Sequence, residues 1–129
     1  MSNTSAVETK NVAIVQEFLE AWAAGDAERV VGLFAEDAVF SASVGPEPGK
    51  TLTGRDKIAP AVSEMLKAGA GSKFAITEIN AVADGAVVTW TQTGVSHQGR
   101  SFNIKGIDVF KVKGEFVTLK NAYRKVEQS

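Results

Sequence analysis

The sequence predicts an α+β domain, helices first and a β-meander after them. Three observations carry this. The first half holds three stretches with apolar residues at three- and four-residue steps. Everything after Phe74 alternates like strand, and glycine-containing turns punctuate that second half. With 129 residues the chain is read as a single domain over 1–129, residues 1–8 forming a flexible tail.

In the first helix, Val12, Val15, Phe18, Leu19 and Trp22 share one stripe from about Thr9 to Ala24. Gly25 provides a left-handed stop and Asp26 a cap for a short second helix through Val30, Val31, Leu33 and Phe34. Ala38-Val39-Phe40 begins a strand. The segment Gly45-Pro46-Glu47-Pro48-Gly49 cannot hold regular structure, because prolines remove donors and restrict their predecessors, so it is a loop and a candidate rim or lid. A third helix runs from about Arg55 to Ala68. Strands are expected at Phe74–Val82, Ala86–Ser96, Phe102–Val112 and Glu115–Arg124, joined at Asp84-Gly85, Gln98-Gly99 and Lys113-Gly114.

Composition narrows the function classes. Hydrophobic residues make up 44% and charged residues 22%, which excludes wholesale disorder. No stretch approaches the roughly 18 uninterrupted apolar residues of a membrane span, and MSNTSAVETK has no signal-peptide pattern. The absence of cysteine excludes disulfides, thiolate nucleophiles and cysteine zinc sites, and makes the cytoplasm the default compartment. A single histidine, His97, sits beside a hairpin turn. Net charge is -1, with 5 Lys/Arg against 10 Asp/Glu in residues 1–64 and 9 against 5 in 65–129. The basic excess reads as a solvated strand face, not a nucleic-acid surface. No phosphate loop, dinucleotide fingerprint or nucleophile elbow occurs, and no metal or cofactor is expected.

Chemistry is expected where alternation breaks. In the third long strand Phe102, Ile104, Gly106, Asp108, Phe110 and Val112 share one face, apolar except for a carboxylic acid. Such a group must be paired, protonated or wet, and is an acid/base candidate. With no lysine or arginine on that face, a neutral, hydrogen-bond-donating acid is expected, unless a bulge at Gly106 turns Asp108 outward. In the last strand Val117, Leu119, Asn121 and Tyr123 form the corresponding face. Asn121 could contact a ligand or be a satisfied core amide. Trp90 could lie in core, pocket or dimer interface, and Thr89, Thr91 and Thr93 share one face.

EFLEAWAAGDAERVVGLFAEDAVF, TLTGRDKI and HQGRSFNIKGIDVFKV together resemble the nuclear transport factor 2-like superfamily, in particular its ketosteroid isomerase and SnoaL-like polyketide cyclase group. The resemblance spans about residues 11–124. It implies a cone: a curved antiparallel sheet wrapped around three N-terminal helices (cystatin-like), with an apolar pocket and usually a homodimer. Asp108, in Ile107-Asp108-Val109-Phe110, matches the isomerases' oxyanion-binding aspartate, a site that is itself a standard worked case of a protonated acid. Their tyrosine falls on Phe18 and their general base on Ala42, so steroid isomerisation by that mechanism is expected to be weak or nil. The Arg-x-Asp pair and final Asp of epoxide-hydrolase relatives fall on Thr91, Thr93 and Asn121, so that triad is absent too.

The combined expectation is an isomerase-, cyclase- or lyase-type enzyme acting on a small hydrophobic carbonyl compound. Asp108, Asn121 and Tyr123 are its candidate catalytic groups. Phe18, Trp22, Ala42, Thr91, Thr93, Phe110 and Leu119 are its candidate ligand contacts, with Ser41 or Ser43 as further polar groups. The alternatives are a non-catalytic binder of an apolar small molecule and, behind both, an interaction module using the outer sheet face.

Overall fold

The computed structural model describes residues 6–46 and 48–125. Helix α1 spans Ala6–Ala23, α2 Ala27–Leu33 and α3 Arg55–Ala68. The strands are β1 Phe34–Ser41, β2 Thr51–Thr53, β3 Lys73–Val82, β4 Gly85–Val95, β5 Ser101–Lys113 and β6 Phe116–Arg124. They form one curved, unclosed sheet in the order β2-β1-β6-β5-β4-β3. The helices lie against one face of it, as expected.

Helix α1 begins earlier than its apolar stripe suggested, so residues 6–8 are helical; of the expected tail, residues 1–5 lie outside the described residues, as does Glu47. The helix buries Ile14, Val15, Phe18, Leu19 and Ala21 against the sheet. Gly25 adopts φ 71°, the left-handed turn that stops α1, and Asp26 then accepts from the Arg29 backbone N–H at 3.1 Å. Arg55, at the start of α3, donates from its guanidinium to the Phe34 carbonyl and ties α3 to the beginning of β1.

Two features were absent from the sequence expectation. The three-residue strand β2 pairs with β1 antiparallel, and β1 pairs with β6 in parallel, so the sheet is mixed instead of wholly antiparallel. Parallel pairing requires partners distant in sequence, here some eighty residues apart by number, and no local pattern encodes it.

Register decides which residues face the helices. The β4–β5 ladder runs unbroken from Gly85↔Lys111 to Val95↔Ser101, so no bulge occurs at Gly106 and Asp108 faces inward. The β5–β6 ladder does slip: Lys111 pairs with Leu119 but Val112 with Val117, leaving Thr118 as an extra residue. That bulge reverses the facing of everything beyond it in β6. Lys120 and Ala122 turn inward; Leu119, Asn121 and Tyr123 turn outward.

Candidate functional site

The inner row of residues next to the bulge is Phe40 of β1, Lys120 of β6 and Phe110 of β5, matched by pairings Phe40↔Lys120 and Phe110↔Lys120. The following row contains Ala122, Asp108 and Val88, and the one after it Gly106 and Trp90. This arrangement puts Lys120 and Asp108 diagonally across one strand boundary. Lys120 Nζ lies 3.2 Å from Asp108 Oδ2, and the two side chains are only 6% and 2% exposed. A buried charge of either sign would be prohibitive alone, and each here neutralises the other.

Gly106 has a steric role in the same site. The Trp90 indole lies flat across it, and a Cβ there would meet Trp90 Cζ2 at 2.2 Å and Cε2 at 2.5 Å. Glycine thus seats the indole where its Nε1–H donates to Asp108 Oδ1 at 3.0 Å. Phe74 packs on the other side of Trp90, with ring centroids 5.3 Å apart. Each Asp108 oxygen therefore has a fixed partner. An ionised carboxylate has about four lone-pair directions, so capacity for a ligand proton remains.

Aromatic rings surround the ammonium. Lys120 Nζ stands 4.6 Å from the Trp22 ring centroid, 4.8 Å from Phe40 and 5.9 Å from Phe110. Ring faces attract a cation through their quadrupoles but accept no ordinary hydrogen bond. The ammonium has three N–H donors, and among the described residues Asp108 is its one ionic partner.

Both charged groups line an open cavity of about 870 Å³. Its walls are the C-terminal end of α1, the segment Ala42–Val44, the end of α3 with the following turn, and the inner faces of β4–β6. Beyond the ion pair most of the wall is apolar, including Trp22, Phe40, Phe74 and Trp90. A second polar station lies near the turn after α3, where Gln92 Nε2 donates to Ser72 Oγ at 2.8 Å. The size and the few convergent polar groups are those of a small-molecule pocket.

Of the residues proposed from sequence, Asp108, Trp22, Ala42 and Ser43 line this cavity. Phe18 and Phe110 are fully buried in the layer beneath, packed edge-to-face with centroids 5.3 Å apart, and support the wall without lining it. Ser41 turns toward Thr51, which donates to it at 3.4 Å. The remaining placements are corrected. Asn121 and Tyr123 are on the outer face because of the Thr118 bulge, where Asn121 Nδ2 donates to the Tyr123 hydroxyl at 3.0 Å. Leu119 points outward for the same reason. Thr91 and Thr93 fall on the outward parity of the regular β4 strand, and Thr91 lines a groove with Thr89, Ile107 and Tyr123. His97 is exposed at its hairpin.

The principal residue that sequence reasoning missed is Lys120. Strict alternation from Val117 placed it outside, so Asp108 was expected without a cation. Lys120 overturns that expectation. The usable signal was the acid itself, since a buried carboxylate calls for a partner on a neighbouring strand.

Helices against one face of a curved open sheet, with a charged pair in the wall of the cavity between them, define an α+β cone. The chain belongs to the SnoaL-like family, whose domain model matches residues 15–119. Its fold is that of an NTF2-like protein of unknown function from Mesorhizobium loti (TM-score 0.79, 19% identity, 95% of this chain and 96% of that one). It is equally similar in fold to a SnoaL-like polyketide cyclase candidate from Jannaschia sp. CCS1 (TM-score 0.81, 12% identity, 96% and 91% covered). A third similar structure is TerC co-crystallised with polyporic acid (TM-score 0.76, 16% identity, 90% and 92% covered). At these identities the likeness is one of fold. No described helix is long and apolar enough to cross a membrane.

Proposed function

We propose that the cavity is the active site of an isomerase- or cyclase-type enzyme acting on a small hydrophobic carbonyl compound. The observation that carries this reading is the Asp108–Lys120 pair, buried in the wall of an otherwise apolar pocket. Replacing such a pair by apolar residues is often neutral or stabilising, so folding alone gives little reason for it. Its chemistry suits enolisation. The Asp108 carboxylate removes a proton from the carbon next to the carbonyl, and the C–H electron pair moves into an enolate. The Lys120 ammonium donates to the oxygen where that charge develops, in a site screened from water by aromatic rings. Return of the proton to another carbon gives an isomer; attack of the enolate on a second carbonyl of the same molecule closes a ring. The similarity in fold to TerC, co-crystallised with polyporic acid, supports a small-molecule occupant for this cavity.

A second reading, a non-catalytic binder, draws on Ala42 and Phe18 at the positions where similarity to the isomerases puts base and tyrosine. Either way we place the protein in the cytoplasm as a homodimer joined through the outer sheet face, where Ile107 and Tyr123 are 36% and 55% exposed.

Proton exchange separates the readings without knowledge of the natural substrate. In deuterated buffer, the protein should speed exchange of the α-protons of 2-tetralone by about 10²-fold or more, followed by NMR, and Asp108→Asn should remove that acceleration. Saturable binding of the ketone with exchange at the buffer rate would leave the binder as the correct reading.

A further inference from the structure

We infer that Lys120 captures aldehydes and unhindered ketones covalently, as an iminium ion. The inference rests on the reading of the cavity as a carbonyl site and adds a second chemistry to it. Lys120 is the lysine whose side chain is almost wholly buried; the residue lines the cavity, and its nitrogen stands among ring faces that offer it no acceptor. A lysine becomes a nucleophile once its proton has somewhere to go and water is kept away. Asp108 Oδ2 at 3.2 Å is that destination.

The steps balance within the pair. The Asp108 carboxylate takes one proton from the ammonium, leaving a neutral amine and a neutral acid. The amine lone pair attacks the carbonyl carbon while the C=O π pair moves to oxygen, which takes the proton from the Asp108 carboxyl. Asp108 next removes the extra proton from nitrogen and delivers it to the carbinolamine hydroxyl, which leaves as water as the C=N bond forms. The sum is ammonium plus carbonyl giving iminium plus water, with Asp108 again a carboxylate and now paired with the iminium. Trp90 Nε1, donating to Asp108 Oδ1, holds the carboxylate in place throughout. The ligand class follows from the walls: a flat aromatic or otherwise apolar compound with one accessible carbonyl.

The test uses the full-length protein with 2-naphthaldehyde, which has no α-proton and so isolates capture from enolisation, and sodium cyanoborohydride, which reduces an iminium to a stable secondary amine. Peptide mapping by mass spectrometry then gives the labelling rate at every lysine of one sample. Lys120 should label at least about 10²-fold faster than exposed Lys111 or Lys113, and Asp108→Asn should remove most of that advantage, the size expected of one positioned acid/base. Lys120→Met should remove the fast site, with circular dichroism checking the fold. Labelling of Lys120 no faster than the exposed lysines in the wild type overturns the inference, whatever the variants do. Calorimetry with 2-naphthylmethanol, which cannot form an imine, distinguishes the failures. If the alcohol binds and Lys120 is not trapped, covalent capture alone is wrong. If neither alcohol nor aldehyde binds, the carbonyl-site reading falls with it.

Discussion

Replacing Lys120 by methionine keeps all but the last atom of the side chain's length and removes its charge, leaving Asp108 buried with Trp90 Nε1 as its remaining partner. Breaking a buried pair from one side costs about 3–5 kcal/mol, because the surviving charge is uncompensated. With a urea m-value of roughly 2 kcal/mol/M for a chain of this size, the unfolding midpoint should fall by about 2 M. The double variant Lys120→Met/Asp108→Leu removes both charges and forfeits the Trp90 hydrogen bond, a loss of about 1–3 kcal/mol. Against it stands the release of two desolvated charges, a gain of about 1–4 kcal/mol. The double variant should therefore lie between roughly 2 kcal/mol below and 3 kcal/mol above the wild type, above the single one. Equilibrium urea unfolding followed by far-UV circular dichroism is the proper assay, since both tryptophans stand beside the mutated groups. A single variant that loses less than about 1 kcal/mol would refute the uncompensated-charge argument, and a double variant more than about 2 kcal/mol below the wild type would refute the view that this pair makes a neutral or negative contribution to stability.

Gly106→Ala should destabilise by about 2–4 kcal/mol, because a Cβ 2.2 Å from Trp90 Cζ2 forces the indole off its seat and off Asp108; thermal unfolding measures the loss, and unchanged stability would mean the indole can repack freely. Trp90→Phe removes the Nε1 donor while keeping a ring, so it should cost about 1–3 kcal/mol and slow 2-tetralone exchange without abolishing ketone binding. Analytical ultracentrifugation should find a dimer at micromolar concentration, and Tyr123→Glu together with Ile107→Lys should yield a monomer that still binds ligand. A wild-type monomer would remove the outer face as an interface.

Much of the fold was legible because most of it is local. The bounds of α3 coincide with its predicted Arg55–Ala68, and the long strands agree to within a residue or two, since period and turn residues mark them directly. The Gly25-Asp26 stop and cap were equally readable. What escaped was non-local or too short to have a period: the three residues of β2, the parallel β1–β6 pairing, and the Thr118 bulge. Trp90 was ambiguous for a related reason. Its place in the cavity depends on standing opposite Gly106, a pairing visible only once β4 and β5 are in register.

The bulge matters most, because one extra residue exchanges the two faces of β6 beyond it. Alternation alone favoured the more apolar set, Val117, Leu119, Asn121 and Tyr123, and the opposite parity, with Lys120 and Arg124, looked like solvent. A rule of electrostatics pointed the other way. Asp108 on the inner face of β5 must be neutralised or bonded, and its neighbours across the β5–β6 boundary in register are Ala122, with Lys120 and Arg124 two residues to either side. Lysine can enter that interior only if β6 gains a residue between Val117 and Lys120, where Val117 is itself fully buried. The acid, the lysine and the buried valine can be satisfied together by a bulge and by no regular strand. The irregularity in β6 is therefore tied to the chemistry of the cavity, and deleting Thr118 gives a sharp consequence: Val117, Leu119 and Lys120 then alternate regularly against Val112, Lys111 and Phe110, Lys120 keeps its inward place, and aldehyde capture and tetralone exchange persist in the folded variant, where their loss would refute this account of the bulge.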